Sequence, residues 1–338
     1  MWQLINNTPF AAERAFVRDK NGAEVWLVAV KGTYEIKPDG ATALAEKQVE
    51  VCMAPEYLGE PGKSSLKYES DLVHTKPSTD IILHGHAYAP SGRPTVAVDV
   101  TMKVGSFSKT LRVFGDRYWQ NGLIGLKMTE PEPFVKMPII YERAFGGVDQ
   151  KSDDSRKHGW ERRNPLGTGF AMESEHLVER KLPNVEYPND LISSWKQRPR
   201  PAGFGPIARD WSPRVELAGT YDEKWEKERQ PLLPVDFDER YYQCAPEDQQ
   251  SSEYLKGGEP VELHNLSPKG LLRFTLPRVW LTFQTSFGRE SVAHHAKLHT
   301  VIIEPDVPRV LMVWHTSLPC HNKEHKLEQT VIVQKEFI

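Results

Sequence analysis

The chain has 338 residues, of which 39% are hydrophobic and 26% charged, and its formal net charge is -3. That apolar content supports a buried core and argues against a disordered chain. The near-neutral balance leaves no electrostatic footprint for nucleic acid or an anionic membrane, and so directs attention to protein or small-molecule partners.

The opening segment MWQLINNTPF has neither a basic leader nor an apolar run, and no stretch approaches the ~20 apolar residues that a membrane helix needs. Cys52, Cys244 and Cys320 are odd in number and far apart. This argues against a disulfide framework and for a reducing compartment. The resulting expectation is a cytoplasmic protein.

In chain order, Ala23 to Lys37 (AEVWLVAVKGTYEIK) is rich in β-branched and aromatic residues and predicts a strand buried in a sheet. Pro38-Asp39-Gly40 is a turn, and Val49 to Met53 predicts the return strand. TDIILHGHAYAP predicts a strand with Ile81, Leu83, Gly85 and Ala87 on one face and Ile82, His84, His86 and Tyr88 on the other. His84 and His86 would then point the same way, as a metal pair must, although no nearby carboxylate or Cys completes a set. Val96, Val98, Val100, Met102 and Val104 alternate with Ala97, Asp99, Thr101 and Lys103, and Gly105-Ser106 turns the chain into a partner ending at Val113. That is the clearest hairpin in the chain.

From Pro138 to Gln249 the regular periodicity disappears. Gly and Pro recur beside Asn, Asp, Trp, Tyr and Arg, which predicts a backbone held by turns and specific side-chain contacts. Glu173 to Arg180, Asp190 to Lys196 and Asp222 to Arg229 are short helix candidates, the last capped by Asp222. After this stretch VELHNL, LLRFTL, VWLTFQTSF, HTVIIEP, RVLMVWHT and QTVIVQKEF follow as strands at ~10-residue spacing. The fold class is therefore mainly β: an antiparallel sandwich- or barrel-like body with a long Gly/Pro/aromatic-rich loop insertion carrying a few short helices. It reads as one domain, with an N-terminal β part (1–137), a central loop-rich part (138–249) and a C-terminal β part (250–338).

Catalytic patterns are weak. Phe145-Gly146-Gly147 and Gly167-Thr168-Gly169 lack the Lys-Ser/Thr pair and the strand-to-helix setting of a phosphate loop, so turn glycines are the better account. No Gly-x-Ser-x-Gly elbow occurs, and the surroundings of Cys244 would raise its pKa. His315, Cys320, His321 and His325 form the densest titratable group and are the best alternative metal set. They fall between two strand patterns, which predicts a hairpin loop. Asp236 and Asp238 suit ion pairs with Arg143, Arg214 or Arg229 better than acid/base work. The aromatic and Arg content of the central stretch fits either an interface or a small loop core.

YESDL at Tyr68 to Leu72, KPSTD at Lys76 to Asp80, GHAYAP, FGDRYW, MPIIYERAFGG, NPLGTGF, LPNVE, PAGFGPI, GTYDEKW, PLLPVDFD and APEDQ at Ala245 to Gln249 occur in register. Together they resemble the uncharacterised-domain family 2169, found in bacterial type VI secretion gene clusters. The resemblance implies a non-catalytic adaptor or chaperone that holds a toxic effector and loads it onto the VgrG/PAAR spike, with no cofactor. On this expectation Trp195, Arg198, Phe204, Trp211, Arg214 and Trp225 are the candidate partner-binding residues. The alternatives are a metal-dependent hydrolase built on His84, His86 or the C-terminal His/Cys group, and a structural component of the secretion apparatus.

Overall fold

The computed structural model describes residues 2–335. Its principal strands are β1 (Gln3–Asn7), β2 (Ala11–Arg18), β3 (Glu24–Ile36), β4 (Asp80–Leu83), β5 (Ala97–Val104), β6 (Phe107–Phe114), β7 (Pro260–His264), β8 (Leu271–Thr275), β9 (Trp280–Phe287), β10 (Glu290–His295), β11 (Lys297–Glu304), β12 (Arg309–Pro319) and β13 (Leu327–Lys335). They form three open sheets, and no barrel closes among the described residues. Sheet A runs β2-β3-β12-β11-β4, with Thr42–Leu44 also against β3. Sheet B runs β6-β5-β7-β8, extended beyond β6 by Val185–Glu186, and sheet C runs β1-β13-β9-β10. Pairing is antiparallel in these sheets except for β1 with β13 and β4 with β11.

The mainly β expectation holds. One continuous core joins the sheets: Trp26, Val28 and Val30 of β3 pack with Val100 and Met102 of β5, Leu263 of β7, Phe283 of β9 and Ile332 of β13. The N-terminal, central and C-terminal parts all contribute, because Ile139 and Phe204 lie in the same cluster. The hairpin of β5 and β6 pairs Val104 with Phe107 around Gly105-Ser106, as its alternation predicts. Val96 is the exception: it precedes the strand and is half exposed. A buried hydrogen bond of 2.8 Å from Trp26 Nε1 to Thr330 Oγ1 ties sheet A to sheet C.

Sheet A has no wet face along β3. Residues 25 to 34 are all buried, because Leu27 and Ala29 pack with Val51 on the side opposite to the main core. This double burial explains why the segment reads as an apolar run rather than an alternation.

Several sequence expectations fail, among them the hairpin loop predicted after RVLMVWHT, since β12 and β13 lie in different sheets. Val49 to Met53 forms no strand; Thr42–Leu44 makes the return, while Val51 and Cys52 are buried against sheet A. The strand predicted over TDIILHGHAY is two, β4 in sheet A and His86–Tyr88 paired with Lys136–Pro138, so His84 lies in the link after β4 and His86 on the second strand. Asp190 to Lys196 forms no helix, and Glu173 to Arg180 reduces to a 3-10 turn at Ser174–Leu177. By contrast Glu223–Glu228 is helical, with Asp222 Oδ1 accepting from the Trp225 amide at 2.8 Å. Strands β1, β2 and β10 fall outside the sequence expectations; β10 is exposed along most of its length and offers no alternation to read.

Met102 is fully buried where sheets A and B meet. Met102→Ala should therefore lower unfolding free energy by about 2–5 kcal/mol, seen as a lower urea midpoint at unchanged slope.

Candidate functional site

The outer face of sheet A carries an unusual set of buried charges. Lys31 lies on β3 among apolar neighbours, and its Nζ meets Asp71 Oδ2 at 2.9 Å. The same carboxylate oxygen accepts from the Cys52 amide at 2.7 Å. Glu69 pairs with Arg214 at 2.7 Å and Arg209 at 3.0 Å. Burial would raise the Glu69 carboxyl, but the Arg214 and Arg209 guanidinia outweigh it and hold the group below its usual range. Lys76 Nζ reaches Asp80 Oδ2 at 2.7 Å and donates to Thr300 Oγ1 at 2.8 Å, while the Cys244 amide donates to Asp80 at 2.8 Å. Tyr68 and Arg309 both hold Glu304. The YESDL and KPSTD segments and Cys244 thus converge on one face of one sheet.

This dense group is a fastening rather than a reaction site. The cavity beside Tyr68, Lys76 and Cys244 measures about 10 Å³, room for about one water. Burial pushes the Cys244 thiol up to about 12, which removes the thiolate a nucleophile needs.

The larger opening lies elsewhere, and the central stretch alone builds it. A cleft of about 720 Å³ is lined by Tyr141, Tyr187, Pro201, Ile207, Pro213 and Pro246, with Arg163, Arg200, Glu216, Glu247 and Asp248 supplying charge. Its size falls in the ordinary range for ligand pockets. Asp248 accepts from Tyr187 Oη at 2.8 Å and from Lys109 Nζ at 2.8 Å, so the wall is locked to β6. Lys109 also donates to Gln249 Oε1 at 2.6 Å, and Gln249 Nε2 donates to the carbonyls of Ile81 and Phe204. Burial pushes the Lys109 ammonium down to about 8, against the opposing pull of Asp248. Arg163 is committed to Glu161 through contacts of 2.8 and 2.7 Å. Arg200 differs: its guanidinium stacks 4.3 Å above the Tyr187 ring. Among the described residues its side chain makes no hydrogen bond or ion pair, and only its amide is engaged, by Asp190 at 2.9 Å.

The candidate partner-binding residues divide by burial. Phe204, Trp211 and Arg214 are interior. Trp211 packs edge-on to Tyr141 at 5.6 Å, and Arg214 is spent on Glu69 and two carbonyls. Trp195 packs on the cluster around Phe145 and Leu182, and Trp225 donates to the Leu232 carbonyl at 2.9 Å. Arg198 is exposed, its guanidinium 4.9 Å above Phe170 and bonded to the Ala171 carbonyl. Asp236 and Asp238 choose nearer partners than predicted: Thr220 and Arg240.

The C-terminal His/Cys group does not assemble. His315 is buried on β12 with its ring 4.3 Å from that of His299, and Cys320 is buried, but His321 and His325 are exposed. No cluster of three potential metal ligands exists among the described residues. His84 faces Tyr68 edge-on at 5.6 Å, and His86 Nδ1 meets Asp306 at 2.5 Å.

The two glycine segments meet as a parallel pair, Phe145 opposite Thr168. A Cβ on Gly146 would lie 2.1 Å from the Asn164 carbonyl, and one on Gly167 2.7 Å from that of Ala144. Close backbone approach therefore accounts for these glycines without a phosphate.

Cleft and fastening lie within one sequence family. The sequence model of the family described as "Uncharacterized protein conserved in bacteria (DUF2169)" matches residues 21–315. The chain belongs to the DUF2169 family. No curated protein and no solved structure matches it. The matched span of DUF2169 contains every residue named in the fastening and the cleft, and it ends at His315, before the rest of the His/Cys group.

Sequence reasoning missed Lys109, Tyr187, Arg200 and Asp248. Only Lys109 carried a readable signal: it shares the inward phase of β6 with Leu111 and Val113, so alternation buries a lysine there.

Removing one member of the Lys31–Asp71 pair strands a buried charge. Asp71→Ala should cost about 3–5 kcal/mol, and Lys31→Met combined with Asp71→Leu should recover most of that loss in a denaturation double-mutant cycle.

Burial also pushes His315 down to about 3 and His84 and His294 down to about 4. In the unfolded chain each titrates near ~6.5. As pH falls below that value the unfolded state takes up protons that the native state refuses, so stability is greatest above it and declines towards the folded values. Each histidine contributes a slope approaching about 1.4 kcal/mol per pH unit in that window. Urea midpoints measured between about pH 7.5 and about pH 5.5 should fall steeply, and less steeply in His315→Gln.

Proposed function

We propose that this protein is a non-catalytic adaptor that holds a secreted effector protein and helps deliver it to the VgrG/PAAR spike of a type VI secretion system. The observation that carries the reading is the cleft. It is large and mostly apolar, its Asp248 wall is fixed by Lys109 and Tyr187, and Arg200, whose side chain has no hydrogen-bond or ion-pair partner among the described residues, stands at the surface. A preformed hollow of this kind suits recognition, because little ordering entropy is lost when a partner enters. Family membership supports the context, since the resemblance implies a secretion-cluster protein. No helix is long and apolar enough to cross a membrane among the described residues, in keeping with an adaptor that meets its client in the bacterial cytoplasm.

The buried charges on sheet A enclose a cavity of only about 10 Å³, and the alternative metal set forms no cluster of three ligands among the described residues. Those placements favour a binding role over the hydrolase alternative. Co-expression with the proteins encoded beside it, followed by affinity purification, should recover an effector or a spike protein. Recovery of neither removes the adaptor reading, and stoichiometric retention in assembled secretion particles points instead to a structural component.

A further inference from the structure

We propose that the cleft beside Arg200 is a docking groove for an extended polypeptide segment of a partner protein that presents an acidic side chain to the Arg200 guanidinium. The inference rests on the adaptor reading and deepens it by specifying the chemistry of the partner.

The first observation is shape. A second hollow of about 180 Å³ shares Ile207, Pro213 and Glu247 with the main cleft and continues along Leu217, Arg240 and Gln250. The two adjoin along those shared residues, and a chain can reach from one to the other where a compact molecule occupies one alone. The second observation is the wall. Tyr141, Tyr187, Pro201, Pro213 and Pro246 present rings, and the three prolines have no amide to donate. Of the charged residues on the wall, Arg163, Glu216 and Asp248 already have partners, so few uncommitted donors and acceptors remain on it for a sugar or nucleotide. An extended peptide lays apolar side chains and its own ring or aliphatic faces on it, as in grooves that take polyproline-like segments.

The third observation is charge. Of the cationic groups around the main cleft, Arg163 is paired with Glu161 and Lys109 lies beneath, held by Asp248 and Gln249. The Arg200 side chain has no hydrogen-bond or ion-pair partner among the described residues and sits 4.3 Å from the Tyr187 ring centroid with five donors free. A planar fork of that kind is matched by a carboxylate, which it grips with two parallel hydrogen bonds. Asp248 makes no hydrogen bond or ion pair with it among the described residues; its oxygens accept instead from Lys109 and Tyr187. Glu247 has no side-chain partner among the described residues and lines both hollows. It disfavours a segment acidic along its whole length, and so selects one with a carboxylate confined to the Arg200 position.

The test uses the full-length protein and a phage-displayed library of ten-residue peptides, with binding of selected synthetic peptides then measured by fluorescence anisotropy. The selected peptides should share an Asp or Glu at a fixed position. Their affinity should fall at least tenfold for Arg200→Ala, fall less for Arg200→Lys, and be lost in Pro201→Trp, which fills the cleft. The Arg200 side chain is exposed and makes no hydrogen bond or ion pair among the described residues, and alanine keeps the amide bond to Asp190, so the thermal midpoint of Arg200→Ala should match that of the parent and exclude misfolding as the cause. The proposal is overturned if no peptide is enriched, if enriched peptides bind Arg200→Ala and the parent equally, or if N-acetyl-aspartate alone displaces them at equal concentration, which would mark a small-molecule site. It is also overturned if the parent forms a dimer that Pro201→Trp abolishes, since a second copy would then be the occupant. If co-expressed partners bind both variants as well as the parent, the adaptor reading stands and the groove assignment fails. If peptides bind as described but no encoded neighbour is captured, the groove stands and the adaptor reading fails.

Discussion

Lys31 and Asp71 meet at 2.9 Å on the face of sheet A turned away from the apolar core, and much of the molecule follows from the need to satisfy charges placed there. A lysine in the middle of a sheet cannot be left bare without a large desolvation penalty, so a segment carrying a carboxylate must cover it. The YESDL segment does this for Lys31, and the Glu69 beside it is met in turn by Arg209 and Arg214 from the central stretch. The covering layer is thus fixed to the sheet, and its own second layer is fixed to it, through a chain of buried pairs.

That arrangement explains how a stretch of more than a hundred residues with almost no ladder hydrogen bonding holds a definite shape. Long loops normally fluctuate because few contacts oppose their conformational entropy. Here the residues between Pro138 and Gln249 bring their own clusters, Tyr141 with Trp211 and Phe145 with Leu182, and are pinned at intervals by Arg214, Asp248 and Gln249. The cleft lies among these pins. Its rigidity is therefore a by-product of the same pairs that attach the loops to the sheets.

How much could be read beforehand divides along the same line. The β-branched runs of β3, β11 and β12 and the hairpin of β5 and β6 declare themselves, because burial on one or two faces of a sheet writes a period into the sequence. The loop region has no period, so its side-chain roles were not legible one by one. Trp211, Phe204 and Arg214 look like interface residues by type, yet all three are interior, because a loop assembly needs aromatics for its own core as much as an interface does. Arg200 has no such distinction in sequence among neighbouring arginines. What sets it apart is that Arg163 and Arg198 found protein partners and it did not, a fact of three-dimensional placement alone.

The choice of charges over apolar groups on the outer face of sheet A has a physical rationale. Buried ion pairs are often no more stabilising than well-packed hydrophobic side chains of the same volume, so stability alone does not account for Lys31, Glu69, Lys76 and Asp80. Apolar surface is indifferent to which apolar segment covers it, and an irregular Gly- and Pro-rich chain offers many near-equivalent ways to collapse. A lysine accepts only a carboxylate in reach and a guanidinium only its matching acceptor, so each pair admits one docking of its loop and penalises the others. On this view the charges act as registration marks for a region without a ladder. Arg200, which takes no part in that registration, is the position at which the surface is free to meet a partner without disturbing the fold.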